Sequence, residues 1–306
     1  MKKLIILFTG LALACQTPKE QKKQEETKEQ TMDSKDFTSP VFTGGIEGPA
    51  VAKDGILYLV NFEQEGTIGQ VQPNGQAGLF VTLPEGSIGN GIRFNREGAM
   101  FVADYPQHNV LKIDPETRAI EVFAHNDSMN QPNDLAIMDN GILFASDPNW
   151  QASTGQLWRI SPEGETTLLE ANMGTTNGIE VSSDNRTLYV NESIQRNVWA
   201  YDLDEEGKVS NKRLFHKFSD FGMDGMRCDE KGNLYVCRYD KGTVAILSPE
   251  GKLIQEIQLK GKKPSNIAFG GKEGKTCYIT LQDRKLVETF EGLSAGRAWK
   301  LWHSAN

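Results

Sequence analysis

One short pattern recurs six times along the chain: a turn residue or glycine, then an apolar, aromatic, apolar run. Asp54-Gly55-Ile56-Leu57-Tyr58-Leu59, Glu97-Gly98-Ala99-Met100-Phe101-Val102 and Asn140-Gly141-Ile142-Leu143-Phe144-Ala145 carry it in full. Arg186-Thr187-Leu188-Tyr189-Val190, Gly232-Asn233-Leu234-Tyr235-Val236 and Gly274-Lys275-Thr276-Cys277-Tyr278-Ile279 repeat it with small departures. The aromatic positions 58, 101, 144, 189, 235 and 278 are spaced by 43, 43, 45, 46 and 43 residues. That is the length of a propeller blade of four short antiparallel strands. Turns such as Pro73-Asn74-Gly75, Pro162-Glu163-Gly164 and Pro249-Glu250-Gly251 have the chemistry that reverses a strand. A β-sandwich does not require near-equal spacing, whereas radial closure does and also removes exposed sheet edges. The pattern therefore predicts an all-β, six-bladed propeller over residues 38–306.

In such a fold the first strand of each blade lines the central channel. Eleven or twelve residues before each aromatic stand Glu47, Asn90, Asn133, Asn177, Asp224 and Asn266, all bearing side-chain oxygen. One register on six strands should bring these groups together at one mouth of the channel. Buried carboxylates and amides need a counter-charge or a full set of hydrogen bonds. Two carboxylates and several amide oxygens form a hard, oxygen-only donor set suited to a divalent cation. Calcium comes first because it tolerates irregular coordination, with magnesium, manganese and zinc behind it. The alternative occupant is ordered water. The ends of the second strands should return to the same mouth, placing Asn61, Tyr105, Asp147, Trp150, Arg238, Tyr239 and Gln282 around its rim.

The N-terminus reads differently. Lys2 and Lys3 precede an apolar run from Leu4 to Ala14, too short for a membrane-spanning helix and about right for the core of a signal peptide. It ends in Ala12-Leu13-Ala14-Cys15, similar to a bacterial lipobox, which makes residues 1–15 a lipoprotein signal and Cys15 the lipidation site. Residues 16–37 are rich in Lys and Glu and poor in large apolar side chains, a composition expected of a flexible tether. The expectation is an exported bacterial lipoprotein, held to the membrane only by this lipid, on the periplasmic or outer side. With Cys15 lipidated, Cys228, Cys237 and Cys277 are an odd set with no disulfide framework. A hairpin turning through Asp229 to Gly232 would set Cys228 opposite Asn233. Four scattered histidines give no zinc spacing. The formal charge of -8, from 33 basic and 41 acidic residues, leaves no basic face for nucleic acid. Nothing in the sequence indicates an oligomer, so a monomer acting on a small molecule is expected.

Ile46-Glu47-Gly48-Pro49, Gln131-Pro132-Asn133-Asp134, Thr176-Asn177-Gly178-Ile179 and Met223-Asp224-Gly225-Met226 occur in that order, with Asp147-Pro148 and Pro264-Ser265-Asn266-Ile267-Ala268-Phe269-Gly270-Gly271 besides. Together they resemble the signature of the gluconolactonase, senescence marker protein and luciferin-regenerating enzyme family of six-bladed propellers, from about Phe42 to Leu281. The resemblance implies that Glu47, Asn133, Asn177 and Asp224 hold a catalytic divalent metal, usually calcium. It also implies hydrolysis of a lactone, the metal polarising the carbonyl, Asp224 acting as base or nucleophile, and Glu47 as the second catalytic carboxylate. Many members place Arg two residues before the matching Asn, where this chain has Gln131. Gln131, Asn90, Tyr105, Asp147, Trp150, Arg238 and Asn266 are the expected substrate contacts, with Arg238 as the substitute for that arginine. Phosphotriesters or other esters are related substrates within the family, and a noncatalytic propeller with a structural ion is the rival reading. Gly292-Leu293-Ser294-Ala295-Gly296 fits the nucleophile-elbow pattern without the Asp and His that should follow it, so Ser294 is read as a loop residue.

Overall fold

The computed structural model describes Met1 and residues 34–303. The expectations for the signal segment, Cys15 and the tether up to residue 33 lie outside the described residues. The remainder forms six four-stranded antiparallel sheets, each one blade of a propeller. Blade 1 runs through Phe42–Val51, Leu57–Phe62, Thr67–Val71 and Ala77–Thr82 from the channel outward. The innermost strands of blades 2 to 6 are Gly89–Phe94, Leu135–Ile137, Thr176–Val181, Met226–Cys228 and Pro264–Gly270.

The periodicity has a packing cause. Six apolar clusters lie one at each junction between adjacent blades, and each recurring aromatic is buried in one of them. Tyr58 meets Phe94 of blade 2 edge-on at 5.6 Å, and Tyr235 meets Phe269 of blade 6 at 4.9 Å. A large planar side chain on the second strand fills the wedge that opens between sheets fanning from an axis. Burial falls outward: every residue of Thr176–Val181 is buried, whereas most of the outermost strand Val209–Lys217 of the same blade is exposed.

Blade 6 is closed from the other end of the chain. Lys35–Asp36 adds the outer strand, pairing Lys35 with Thr289 and Asp36 with Glu288. These two residues were expected in the tether; they belong to the sheet instead. Their charges are what the neighbouring strands require. Arg284 holds both oxygens of Asp36 at 2.8 Å, Lys260 Nζ lies 2.9 Å from Oδ1, and Ser34 Oγ donates to Glu288 at 2.7 Å. Arg297–His303 is a helix across the far ends of the innermost strands. Cys228 pairs with Leu234 rather than Asn233, because Asp229 and Asn233 close the turn themselves. Cys228, Cys237 and Cys277 are buried thiols.

Candidate functional site

A cleft of about 470 Å³ opens at one mouth of the channel, and Glu47, Asn90, Asn133, Asn177 and Asp224 line it. Five of the six counted positions therefore converge. Local irregularity aims them. Between Glu47 and Ala50 the chain inserts one more residue than its partner strand has between Val60 and Tyr58, and blades 2 and 4 repeat the bulge after Gly89 and Thr176. In a regular strand, residues three apart face opposite sides. The extra residue restores the facing, so Glu47, Asn90 and Asn177 reach the cleft while Ala50, Arg93 and Glu180 line the same channel further down. Glycine follows several ring residues for the same reason. Gly48 has φ +60°, and a Cβ there would lie 2.0 Å from the carbonyl oxygen of Asn90.

Glu47 is 6 % exposed. Its Oε2 accepts hydrogen bonds from the Gly48 N–H and, at 2.9 Å, from Asn266 Nδ2, leaving Oε1 without a hydrogen bond. Asn266, expected to touch substrate, thus does not line the cleft; it orients Glu47 from behind. Asp224 is fixed through its backbone, its N–H donating to the Cys237 carbonyl at 3.0 Å and its carbonyl accepting Asn191 Nδ2 at 2.6 Å. Burial, reinforced by the charge of Asp134, pushes the Glu47 carboxyl well above the ordinary carboxylate range. Burial also raises Asp224, with the charges of Glu47 and Asp134 adding to it. Beside them Asn177 Oδ1 is buried with no hydrogen-bond partner, a state that costs about 1–3 kcal/mol. Two carboxylates with no ion-pair partner among the described residues and an orphaned amide oxygen fit a hard cation held by Glu47, Asn133, Asn177 and Asp224. Among the described residues no three His, Cys, Asp or Glu are grouped to hold a metal, because the remaining donors here are amides.

Tyr105, Gln131 and Trp150 line the cleft as expected residues, together with Asn61, Tyr239 and Gln282. Asp147 and Arg238 do not. Asp147 is fully buried, and its carboxylate accepts the N–H groups of Asn130 and Gln131 and the indole N–H of Trp158 at 3.0 Å. It positions the loop that carries Gln131. Arg238 is 1 % exposed and donates to the carbonyl and carboxylate of Asp220, with its guanidinium 3.6 Å from the ring centroid of Phe218. A buried guanidinium must find such partners, and it finds them in the loop leading to Asp224, outside the lining of the cleft. It therefore does not substitute for the arginine that Gln131 replaces. Glu65, Ser193 and Met223 also line the cleft and were not anticipated. Glu65 lies on a turn between strands, where no periodic signal marks it. Ser294 is a loop residue and is buried.

The sequence model of the SMP-30/Gluconolactonase/LRE-like region matches residues 46–283. The chain belongs to the SMP-30/gluconolactonase/LRE-like family. A gluconolactonase of Zymomonas mobilis is 28% identical over 270 residues, covering 76% of this chain and 75% of that protein. A 6-deoxy-6-sulfogluconolactonase of Pseudomonas putida is 27% identical over 237 residues, covering 74% and 72%. The solved structure of a calcium-binding regucalcin from Agrobacterium tumefaciens superposes with a TM-score of 0.75 at 20% identity, covering 86% of this chain and 96% of that one, a likeness of fold.

Below its ring, this SMP-30/gluconolactonase/LRE-like chain carries a second charged tier. Arg93 Nη1 lies 3.1 Å from Asp134 Oδ1, and Arg227 Nη1 lies 3.2 Å from Oδ2. Arg93, Arg227 and Arg297 each approach Glu180 at 3.8 Å. Arg297 opens the C-terminal helix and also donates to Asp139 at 2.7 Å and Asn185 at 2.8 Å. Burial alone would raise Asp134, yet Arg93 and Arg227 hold it below its ordinary value. Burial and the charge of Arg227 together bring Arg93 down to about 10.

Proposed function

We propose that the chain is a divalent-cation-dependent hydrolase that opens sugar lactones, with Glu47, Asn133, Asn177 and Asp224 holding the cation and calcium the preferred ion. The observation that carries this reading is the carboxylate pair of buried Glu47 and half-buried Asp224 beside the unpartnered Asn177 oxygen, on the floor of a cleft whose lining includes no cationic side chain. The names of the gluconolactonase and sulfogluconolactonase relatives support a lactone as substrate, and that of the regucalcin supports calcium. When bound, the cation supplies Lewis-acid polarisation of the ester carbonyl.

The chain's own residues do the rest. Hydrolysis adds water to the acyl carbon, breaks its bond to the ring oxygen and gives an open-chain hydroxy acid. Asp224 takes a proton from the attacking water, a role suited to a carboxylate whose affinity for protons is raised by burial. Glu47, restrained by Gly48 and Asn266, offers only Oε1 to the cleft. Asn90 and Gln131 present amides to the sugar hydroxyls. Tyr105 and Trp150 offer flat faces to its ring. The amino-terminal sequence supports placing this activity outside the cytoplasm on a lipid anchor at Cys15, with the domain acting as a monomer.

The test is a panel of sugar lactones assayed with calcium and with chelator while circular dichroism follows the fold. Turnover that disappears with the ion while the sheet signal persists supports the reading. Turnover indifferent to chelation overturns the cation's role.

A further inference from the structure

The cleft's charge is one-sided. Of the side chains that line it, the ionisable acids are Glu47, Asp224 and Glu65, and none is Lys, Arg or His. A divalent cation at the floor would balance Glu47 and Asp224, leaving Glu65 as the uncompensated charge. Nearby cations are directed elsewhere. Arg238 is held by Asp220, Arg93 and Arg227 by Asp134 and Glu180, and Lys263 sits outside the lining with Nζ 5.6 Å from the ring centroid of Tyr239. Glu65 itself is exposed, and its carboxylate has no hydrogen bond or ion pair among the described residues.

Its backbone, by contrast, is fixed. Asn61, in the left-handed region at φ 66°, donates Nδ2 to the Gly45 carbonyl at 2.7 Å and accepts the Gly66 N–H at 3.3 Å. Thr67 Oγ1 closes the same turn on the carbonyls of Phe62 and Gln64 at 2.7 and 2.8 Å. The turn thus presents a free carboxylate at the cleft wall, near enough to Tyr105 for its charge to act on the phenol.

We propose that Glu65 is a specificity residue that makes the cleft select lactones carrying no negative charge, so that uncharged sugar lactones are accepted and phosphorylated or carboxylated ones are disfavoured. The proposal rests on the lactonase reading and deepens it. Like charges about 6 Å apart in a water-like dielectric shift a preference roughly threefold, and reversing one of them shifts it roughly tenfold. Because Glu65 is exposed, the effect must weaken as salt rises.

The experiment measures kcat/KM of the calcium-loaded protein for D-gluconolactone and for its phosphate monoester, in the parent chain, Glu65→Gln and Glu65→Lys, at low and high salt. A phosphate monoester carries close to two charges, so the expected result is a phosphate-to-neutral ratio that rises about tenfold in Glu65→Gln and about a hundredfold in Glu65→Lys, with both gains shrinking at high salt. A parent that handles both substrates equally, with a ratio unmoved by either variant, overturns the charge selection and leaves lactone hydrolysis intact. Gains that ignore salt overturn it too, since they mark a change of shape. Failure of the parent on both lactones removes the lactonase reading, and the selection falls with it.

Discussion

At the mouth of the channel, Glu47 is buried and Asp224 half-buried among amides, with no cationic side chain lining the cleft. One residue beyond Asn133 and three beyond Asn177, Asp134 and Glu180 are also buried, but here Arg93 and Arg227 reach both of them and Arg297 reaches Glu180. The lower carboxylates are paired by the chain itself: Arg93 and Arg227 make Asp134 ionise more easily than in water, while burial still outweighs the three arginines at Glu180 and raises it. Above, burial and the charge of Asp134 raise Glu47, and burial with the charges of Glu47 and Asp134 raises Asp224. A buried charge is tolerated when paired and costly when not. The lower tier is a finished structural element, while the upper tier is completed only by something from outside. Two layers of one pore can thus divide stability and function between them.

The sharpest way to break this comparison is to remove one acid from each tier. Asp224→Asn should reduce lactone turnover by about 10³-fold or more, as loss of a group that acts on the reacting atoms does. It should not lower the melting temperature measured in chelator. Asp134→Asn should do the reverse in kind. Stripping the carboxylate from between Arg93 and Arg227 leaves buried guanidinium charge unbalanced, for about 3–5 kcal/mol in denaturant-unfolding stability, with or without calcium. A stable Asp134→Asn protein beside a collapsed Asp224→Asn protein would invert the assignment of the tiers.

A smaller effect comes from pH. The Glu47 carboxyl is raised from 4.5 to about 7 by burial and by the charge of Asp134. The folded, ion-free protein therefore holds that proton where the unfolded chain has released it. Stability from this group is complete below about 4.5 and declines as pH rises toward 7. Calcium should flatten the decline, since it stabilises the deprotonated form, and melting curves at several pH values with and without the ion would read it. The smallest expected change is at the blade closure. Asp36→Ala removes an exposed ion pair with Arg284 and Lys260, and should cost no more than about 1 kcal/mol in unfolding stability, diminishing with salt.

How much of this was legible in the sequence follows from what each residue does. The blade count could be read because every blade junction needs its own aromatic, so packing writes a period into the chain. The ring could be read because one register on equivalent strands leads to one place. The lower tier could not. Arg93, Glu180 and Arg227 stand three residues beyond the ring, and at Arg93 and Glu180 a bulge brings that offset back to the channel side. Asp147 and Arg238 sit at the expected register, yet their polar groups are spent on loop backbone and on Asp220. A count of positions does not reveal where a side chain's hydrogen bonds go. Lys35 and Asp36 look like tether by composition, and their pairing with Thr289 and Glu288 comes from the opposite end of the chain. Glu65 occupies the turn between second and third strands that every blade has, at a position where the other blades carry Gln107, Ala152, Gln195, Lys241 and Arg284, so no recurring residue type marks it.

The most direct measurement is calcium titration by isothermal calorimetry on the parent chain, Asp224→Asn and Asp134→Asn. The account predicts one ion per parent chain, with protons released on binding at neutral pH, and binding abolished by Asp224→Asn but retained in whatever Asp134→Asn protein remains folded. A parent chain that takes up no calcium, or an Asp224→Asn protein that binds it as tightly as the parent, would contradict it.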